Sequence, residues 1–548
     1  MRIPGPERQE DGGRGAVAAA GGLHRYQLLL HNTYGPVVRF QLPGADTAVS
    51  VADPVLLEAT AHIDKRPEEL FAFLDPLCEA GNLQVLPADE HTPWRRLLLS
   101  VLAGRPSHER HFARFTELAQ EVADRWAERG GGEPIELQKE LTALSLRMIC
   151  GFAFGGADGR TDSDDGMGPD GGTGPDGGTG PGDGTGPGAR MDTGARTVRV
   201  ARTDRGAPTV GGAGADASGG PDADRLVAAF EAVLTEHLGR LYQVPREDPR
   251  SAERAEEALA FLRDTVDRVV AAHRTSGRTD RSDLIGAMVE AGESPARIRD
   301  TVMVTLLAAH HTTGVAVSWT LHLLGRHPEA ADRVAAELDD VLGGRAAPDY
   351  GDLRLLTYLD MVLKESMRLF PPGPYGARET TEDMALGPYQ LAAGTTVFYP
   401  FWAVHLNPRY WPEPERFDPE RFTPQEVAKR PRLAYVPFGI GPRGCEGAAL
   451  ATVEAQLVLA VLLKRLRFRP APGHEVTPVE RFVLWAKDGI RMTVRPRDLP
   501  SAPSAADAGP QTEPESDAES DDDAKSDDDA DVGTEPEPHQ SQSQSPAE

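Results

Sequence analysis

Phe438-Gly-Ile-Gly-Pro-Arg443-Gly-Cys445-Glu-Gly447 decides the reading of this chain. A lone cysteine sits between a glycine-rich loop and an apolar stretch, 448–463, patterned as a helix. Glycines at 439, 441, 444 and 447 let the backbone turn tightly and approach a partner closely. Amide donors of the loop and the N-terminus of the following helix predict a thiolate rather than a thiol. Arg443 adds a cation beside it. With no second Cys or His at zinc spacing, such a sulfur suits a metal that takes a single protein ligand.

Haem iron is such a metal, and the stretch resembles the haem loop of the cytochromes P-450, F-x-x-G-x-R-x-C-x-G. Every fixed position, from Phe438 to Gly447, is filled. The resemblance implies haem b, with Cys445 as the proximal iron ligand, Arg443 on a propionate and Phe438 shielding the sulfur. It also implies a mainly α fold with a smaller β region, in one large domain.

Composition bounds the rest. The chain has 548 residues, and its 57 Gly and 46 Pro are high, with much of the excess in two segments that read as disordered. Excluding them leaves roughly 400–430 residues, enough for a large core. The net charge is −27, and about half of it lies between Ser501 and Glu548, where fifteen acidic residues face one lysine. The remainder argues against nucleic-acid binding. Three cysteines (Cys78, Cys150, Cys445) give no disulfide framework and point to a reducing, cytoplasmic setting. No N-terminal run is apolar enough for an anchor, so no membrane attachment is expected.

In chain order, residues 1–25 read as a disordered leader and 26–498 as the haem domain. Val37–Leu42 and 48–51 carry a hairpin signal, and 54–60 a short helix. The apolar run 70–77 is broken by Pro76. Helical periodicity covers 111–130 and 137–152. Residues 156–221 are almost wholly Gly, Asp, Pro, Thr, Ala and Arg, which cannot bury enough apolar surface to offset chain entropy. They read as a disordered insertion. Residues 499–548 read as an acidic disordered tail. Helices resume at 222–242 and 252–275. Ser294-Pro295 starts a long helix that nothing stops before Gly325, and residues 481–496 alternate as a terminal hairpin.

The resemblance extends along the order of motifs. His91-x-x-x-Arg95, at i, i+4, and Arg378 fall where relatives grip propionates. In the long helix, Ala308-Ala-His-His311-Thr312 stands where the family has G-x-[D/E]-T, with Thr312 on the proton-guiding threonine and His311 in place of the acid. Histidine ordinarily titrates near neutral pH, so His311 is a candidate relay. Leu363-Lys-Glu365-Ser-Met-Arg368 matches the family's structural E-x-x-R, and Arg421 rather than Arg416 is its expected third member. Phe71, Phe73, Leu74, Ala308, Tyr375, Phe482 and Leu484 fall where relatives line the substrate pocket.

The implied activity is monooxygenation: one atom of O2 enters a small apolar organic substrate, and ferredoxin with ferredoxin reductase supplies electrons. A high-GC bacterial composition fits secondary metabolism, and a monomer is expected. The missing distal acid keeps open a peroxide-using or isomerising haem-thiolate enzyme. A non-catalytic haem sensor is the third reading.

Overall fold

Ser294 starts the helix around which the chain is built. Its hydroxyl accepts from the Arg297 amide at 3.2 Å and Pro295 fills the first turn, the cap signal read from sequence. In this computed structural model the helix runs Pro295–Arg326, 32 residues, or roughly 48 Å. The residues described are 1–42, 45–129, 132–154, 223–241, 248–276, 283–481 and 483–497. The expectations for 156–221, 499–548 and Phe482 lie outside them.

The central helix packs against Leu137–Phe154 most closely at Gly314, where a Cβ would fall 2.6 Å from the Thr142 nitrogen. Any side chain there would push the two helices apart. Helices Arg105–Glu128 and Ala448–Arg465 complete this layer, the latter burying every residue from Glu454 to Lys464. Its apolar surface is continuous, as expected for a helix enclosed on all sides.

The β region is smaller. One sheet orders Val37–Leu42, Ala45–Val51, Thr396–Tyr399 and Gly376–Glu379. The first pair is the expected hairpin, antiparallel with Val38 opposite Ser50. Ala45–Val51 then runs parallel to Thr396–Tyr399, which brings Arg378 opposite Val397 on the last strand.

Two expectations are corrected. Residues 481–496 do not form one hairpin. Val483–Ala486 pairs with Pro478–Arg481, whereas Arg491–Pro496 pairs with Leu466–Pro470 and Ile135–Glu136. Residues 1–25 are not a disordered leader either. Arg14–Ala20 is helical, and Ala16, Val17 and Ala20 pack on Tyr26, Leu30 and Phe40. The Pro4 carbonyl accepts from the Arg39 amide at 2.8 Å, so the segment covers an otherwise open strand edge. Among the described residues no helix is long and apolar enough to cross a membrane.

Candidate functional site

Two left-handed glycines, Gly439 (φ 73°) and Gly441 (φ 66°), turn the loop that carries Cys445. At Gly441 a Cβ would lie 1.8 Å from the Ala61 carbonyl oxygen, so the loop rests directly on backbone. The Cys445 amide donates to the Phe438 carbonyl at 2.8 Å, closing the turn. Gly447 caps Ala448–Arg465, and a Cβ there would have Cys445 Sγ as its neighbour at 3.9 Å.

The Cys445 side chain is accessible, yet protein surrounds it. Burial, then the adjacent Glu446 carboxylate, pushes its thiol up to about 11, against the Gly447 amide, Arg95 and Arg66. Without a bound metal the loop's donors are outweighed by desolvation, so the expected thiolate depends on a cation at the sulfur.

Cations crowd beside this loop. Arg443 forms a two-pronged pair with Asp64, Nε–Oδ1 2.8 Å and Nη2–Oδ2 3.0 Å, and also donates to the Leu86 carbonyl. Its buried Nη1 has no hydrogen-bond partner. Arg95 donates to the Gly444 carbonyl at 2.6 Å and pairs with Glu446. His91 is buried 3.8 Å from Asp64 and 3.9 Å from Glu446. Burial first, then Arg443, lowers it to about 4, so it is neutral at neutral pH. Arg378 reaches the Ile440 carbonyl at 3.3 Å, and burial lowers it to about 10.

Sequence reasoning missed Arg66, Asp64 and Glu446. Arg66 donates to the Arg443 carbonyl at 3.1 Å. Burial, then the charge of Arg378, brings it down to about 9. Glu446 stood unread inside the quoted motif, whereas nothing in Asp64-Lys-Arg66-Pro marks it for this corner. Guanidiniums this desolvated and mutually repelling call for an anion. The two carboxylates satisfy Arg443 and Arg95 in part, and the free Nη1 of Arg443 marks what remains. A carboxylate-bearing group bound through iron at Cys445 fits this donor set, as haem does through its propionates.

The central helix is buried along most of its length, but Ala308 is exposed and Thr305, Ala309, His311 and Thr312 are half-exposed. That opening is one helix face, i, i+3/i+4. Thr312 Oγ1 donates to the Ala308 carbonyl at 2.9 Å. His311 stacks on His310 with ring centroids 4.1 Å apart and meets Trp485 edge-on at 5.4 Å. Burial lowers His311 to about 4, so the expectation of titration near neutrality is corrected. Glu454, on the helix after Cys445, was also missed, and burial raises it to about 8.

Glu365, Arg368 and Arg421 come together. Arg368 meets both Glu365 oxygens at 2.7 and 2.8 Å, and Arg421 Nε lies 3.5 Å from Glu365 Oε1. Arg416 instead pairs with exposed Glu413 and Asp418, lending only its carbonyl to Arg368. Leu74 is buried, whereas Phe71 and Phe73 are half-buried on a segment packed against the central helix. Tyr375 donates to Glu480. Leu484 is fully buried, its carbonyl accepting from Trp319 at 2.8 Å.

A family model described as Cytochrome P450 matches residues 218–494. Two relatives from Streptomyces melanosporofaciens are each 38% identical. Cyclooctatin synthase aligns over 251 residues, 44% of this chain and 54% of its own length. Cyclooctat-9-en-7-ol 5-monooxygenase aligns over 243 residues, 43% and 52%. The chain thus spans about half the length of these curated relatives. The crystal structure of the cytochrome P450DA heme domain superposes with a TM-score of 0.71 at 22% identity, covering 90% of this chain and 98% of that one. With the family model matched over just over half of its residues, the chain belongs to the cytochrome P450 family.

Proposed function

We propose that the protein is a haem-thiolate monooxygenase that places one atom of O2 into a small apolar organic substrate. The observation that carries this reading is the accessible Cys445 thiol in a loop gripped by Arg66, Arg95, Arg378 and Arg443, with Arg66 and Arg378 strongly desolvated. Haem b bound there would supply the iron redox chemistry that oxygen activation requires. The chain's own residues do the rest. Cys445 would bind the metal, its loop closed by the Phe438 carbonyl and with Gly447 against the sulfur, and the arginines with His91 would hold the propionates. At the open face of the central helix Thr312 holds a hydroxyl proton, with neutral His311 beside it. Ala308, Phe71, Phe73, Leu74, Tyr375 and Phe482 would border an apolar substrate.

The relatives' names support oxidation of a compound such as cyclooctat-9-en-7-ol, and hence secondary metabolism. We take the haem domain to include the N-terminal residues packed on it and to run to 498, interrupted by 156–221, with 499–548 as a separate tail. The enzyme acts as a cytoplasmic monomer, with ferredoxin and its reductase as donors. One observation favours a second reading: no carboxylate precedes Thr312, and desolvated His311 does not replace its charge. Peroxide would then serve in place of reductase and O2.

The deciding measurement is the reduced, carbon-monoxide difference spectrum of the wild type and of Cys445→Ala. A strongly red-shifted Soret band lost in the variant supports the assignment, and its absence from haem-loaded wild type overturns it. Turnover with peroxide alone, set against turnover with ferredoxin and reductase, separates the two readings.

A further inference from the structure

The segment Glu68–Leu77 and the turn after it, to Ala80, form a strap fastened at three points. At one end the Arg66 guanidinium lies over the Phe71 ring, 4.9 Å from its centroid, and Arg66 also holds the Arg443 carbonyl two residues before Cys445. In the middle, Arg263 of helix Ser251–Ser276 donates to the Pro76 carbonyl at 2.7 Å. At the far end a single carboxylate oxygen, Asp300 Oδ2, accepts from the amides of Glu79 at 2.8 Å and Ala80 at 2.5 Å. Asp300 is 1% exposed, in the central helix, and its other oxygen has no hydrogen-bond partner. The neighbouring Arg299 binds the Glu79 side chain and Asp267. The strap therefore runs from the cysteine loop to the central helix, about 18 Å along that helix from Thr312.

We propose that Asp300 is the positioning residue of this strap: by holding the Glu79 and Ala80 amides it fixes Phe71, Phe73 and Leu74 over the site and restricts entry of bulky apolar molecules. A buried carboxylate is costly unless hydrogen-bonded, and here one oxygen is spent on two backbone amides that have no other regular partner, while the other faces Arg299 at 4.0 Å. Leu74 and Leu77 seat the strap in the core, whereas Phe71 and Phe73 are half-buried, so the polar fastenings decide how often these rings and the turn after them open. The inference rests on the haem-thiolate reading for its ligand assay, and on nothing but the fold for its exchange assay.

The test compares wild type, Asp300→Asn, Asp300→Ala and Arg263→Ala, each haem-loaded. Stopped-flow absorbance follows association of imidazole and of a bulky aryl-imidazole, both read as a Soret shift. Hydrogen exchange follows the amides of residues 72–80. Asp300→Ala should speed aryl-imidazole association about tenfold while imidazole changes less than twofold, with exchange at 79 and 80 accelerated. Asp300→Asn, which keeps an acceptor oxygen, should fall between. Arg263→Ala should reproduce the effect from the other anchor, which keeps the question decidable if Asp300→Ala does not fold. Faster exchange at 79–80 with unchanged aryl-imidazole association overturns the proposal, as do equal accelerations of both ligands or exchange left unchanged. If wild type binds no haem, the functional reading fails, and exchange alone still decides whether Asp300 fastens the strap.

Discussion

Arg66 Nη2 donates to the carbonyl oxygen of Arg443 at 3.1 Å, joining positions 377 residues apart beside Cys445. Burial and the charge of Arg378 bring the Arg66 guanidinium down to about 9. A cation kept in such a place is stabilised chiefly by whatever anion completes the corner. Arg66→Ala is expected to speed haem loss about tenfold, or ~1.4 kcal/mol. Transfer of haem to excess apomyoglobin measures it. A rate within twofold of wild type would show that Arg66 does not engage the cofactor.

Glu365 and Arg368 are fully buried, and the arginine also donates to the His405, Pro414 and Arg416 carbonyls. Removing it leaves the buried Glu365 carboxylate with only the Asp418 amide and Arg421, and leaves three carbonyl acceptors without that donor. Arg368→Ala should cost ~3–5 kcal/mol, a large share of the total stability of a domain. The expected outcome is aggregated or poorly folded protein on expression. A soluble variant melting within two degrees of wild type would contradict the locking role.

What could be read in the sequence follows from what is local. The Cys445 loop and Glu365-x-x-Arg368 are contiguous spacings, so their geometry is written in a few residues. The central helix announced itself through Ser294, Pro295 and an uninterrupted apolar pattern. Arg66 and Asp64 reach the site only through tertiary folding, and no local pattern marks them. The edge cover by residues 3–20 was hidden because its key bond, Arg39 amide to Pro4 carbonyl, is backbone to backbone. Arg491–Pro496 has ordinary strand alternation, but its partner at Leu466–Pro470 is chosen by the sheet. Cys445 and His311 show the same limit in electrostatics, since desolvation at a site depends on neighbours from the whole fold.

His311 illustrates a kinetic consequence. Burial places it at about 4, so it enters the neutral range already deprotonated. If it lies on a proton path, it relays as neutral imidazole and contributes no inflection between pH 6 and 8. The pH profile of kcat should therefore be the same in that window for wild type and His311→Asn, even where the variant lowers the rate several-fold. An inflection near pH 6.5 present in wild type and absent in the variant would mean that the ring titrates normally.

Glu454 makes the opposite prediction, for stability. It is 1% exposed, one oxygen has no hydrogen-bond partner, and its stabilising contact is the Thr313 side chain. Its carboxyl rises from the ordinary 4.5 to about 8 through burial. Between those values the unfolded chain releases the proton while the folded chain keeps it. The unfolded state then binds fewer protons, so stability falls as pH rises through this window. The loss is at most ~5 kcal/mol by the same linkage. Glu454→Gln keeps a hydrogen-bonding group and removes the titration. Its melting temperature should exceed that of wild type by several degrees at pH 8–9, and the gap should close toward pH 5. A difference between the two proteins that stays constant from pH 5 to 9 would show that the Glu454 carboxyl ionises in the folded protein as readily as in the unfolded chain.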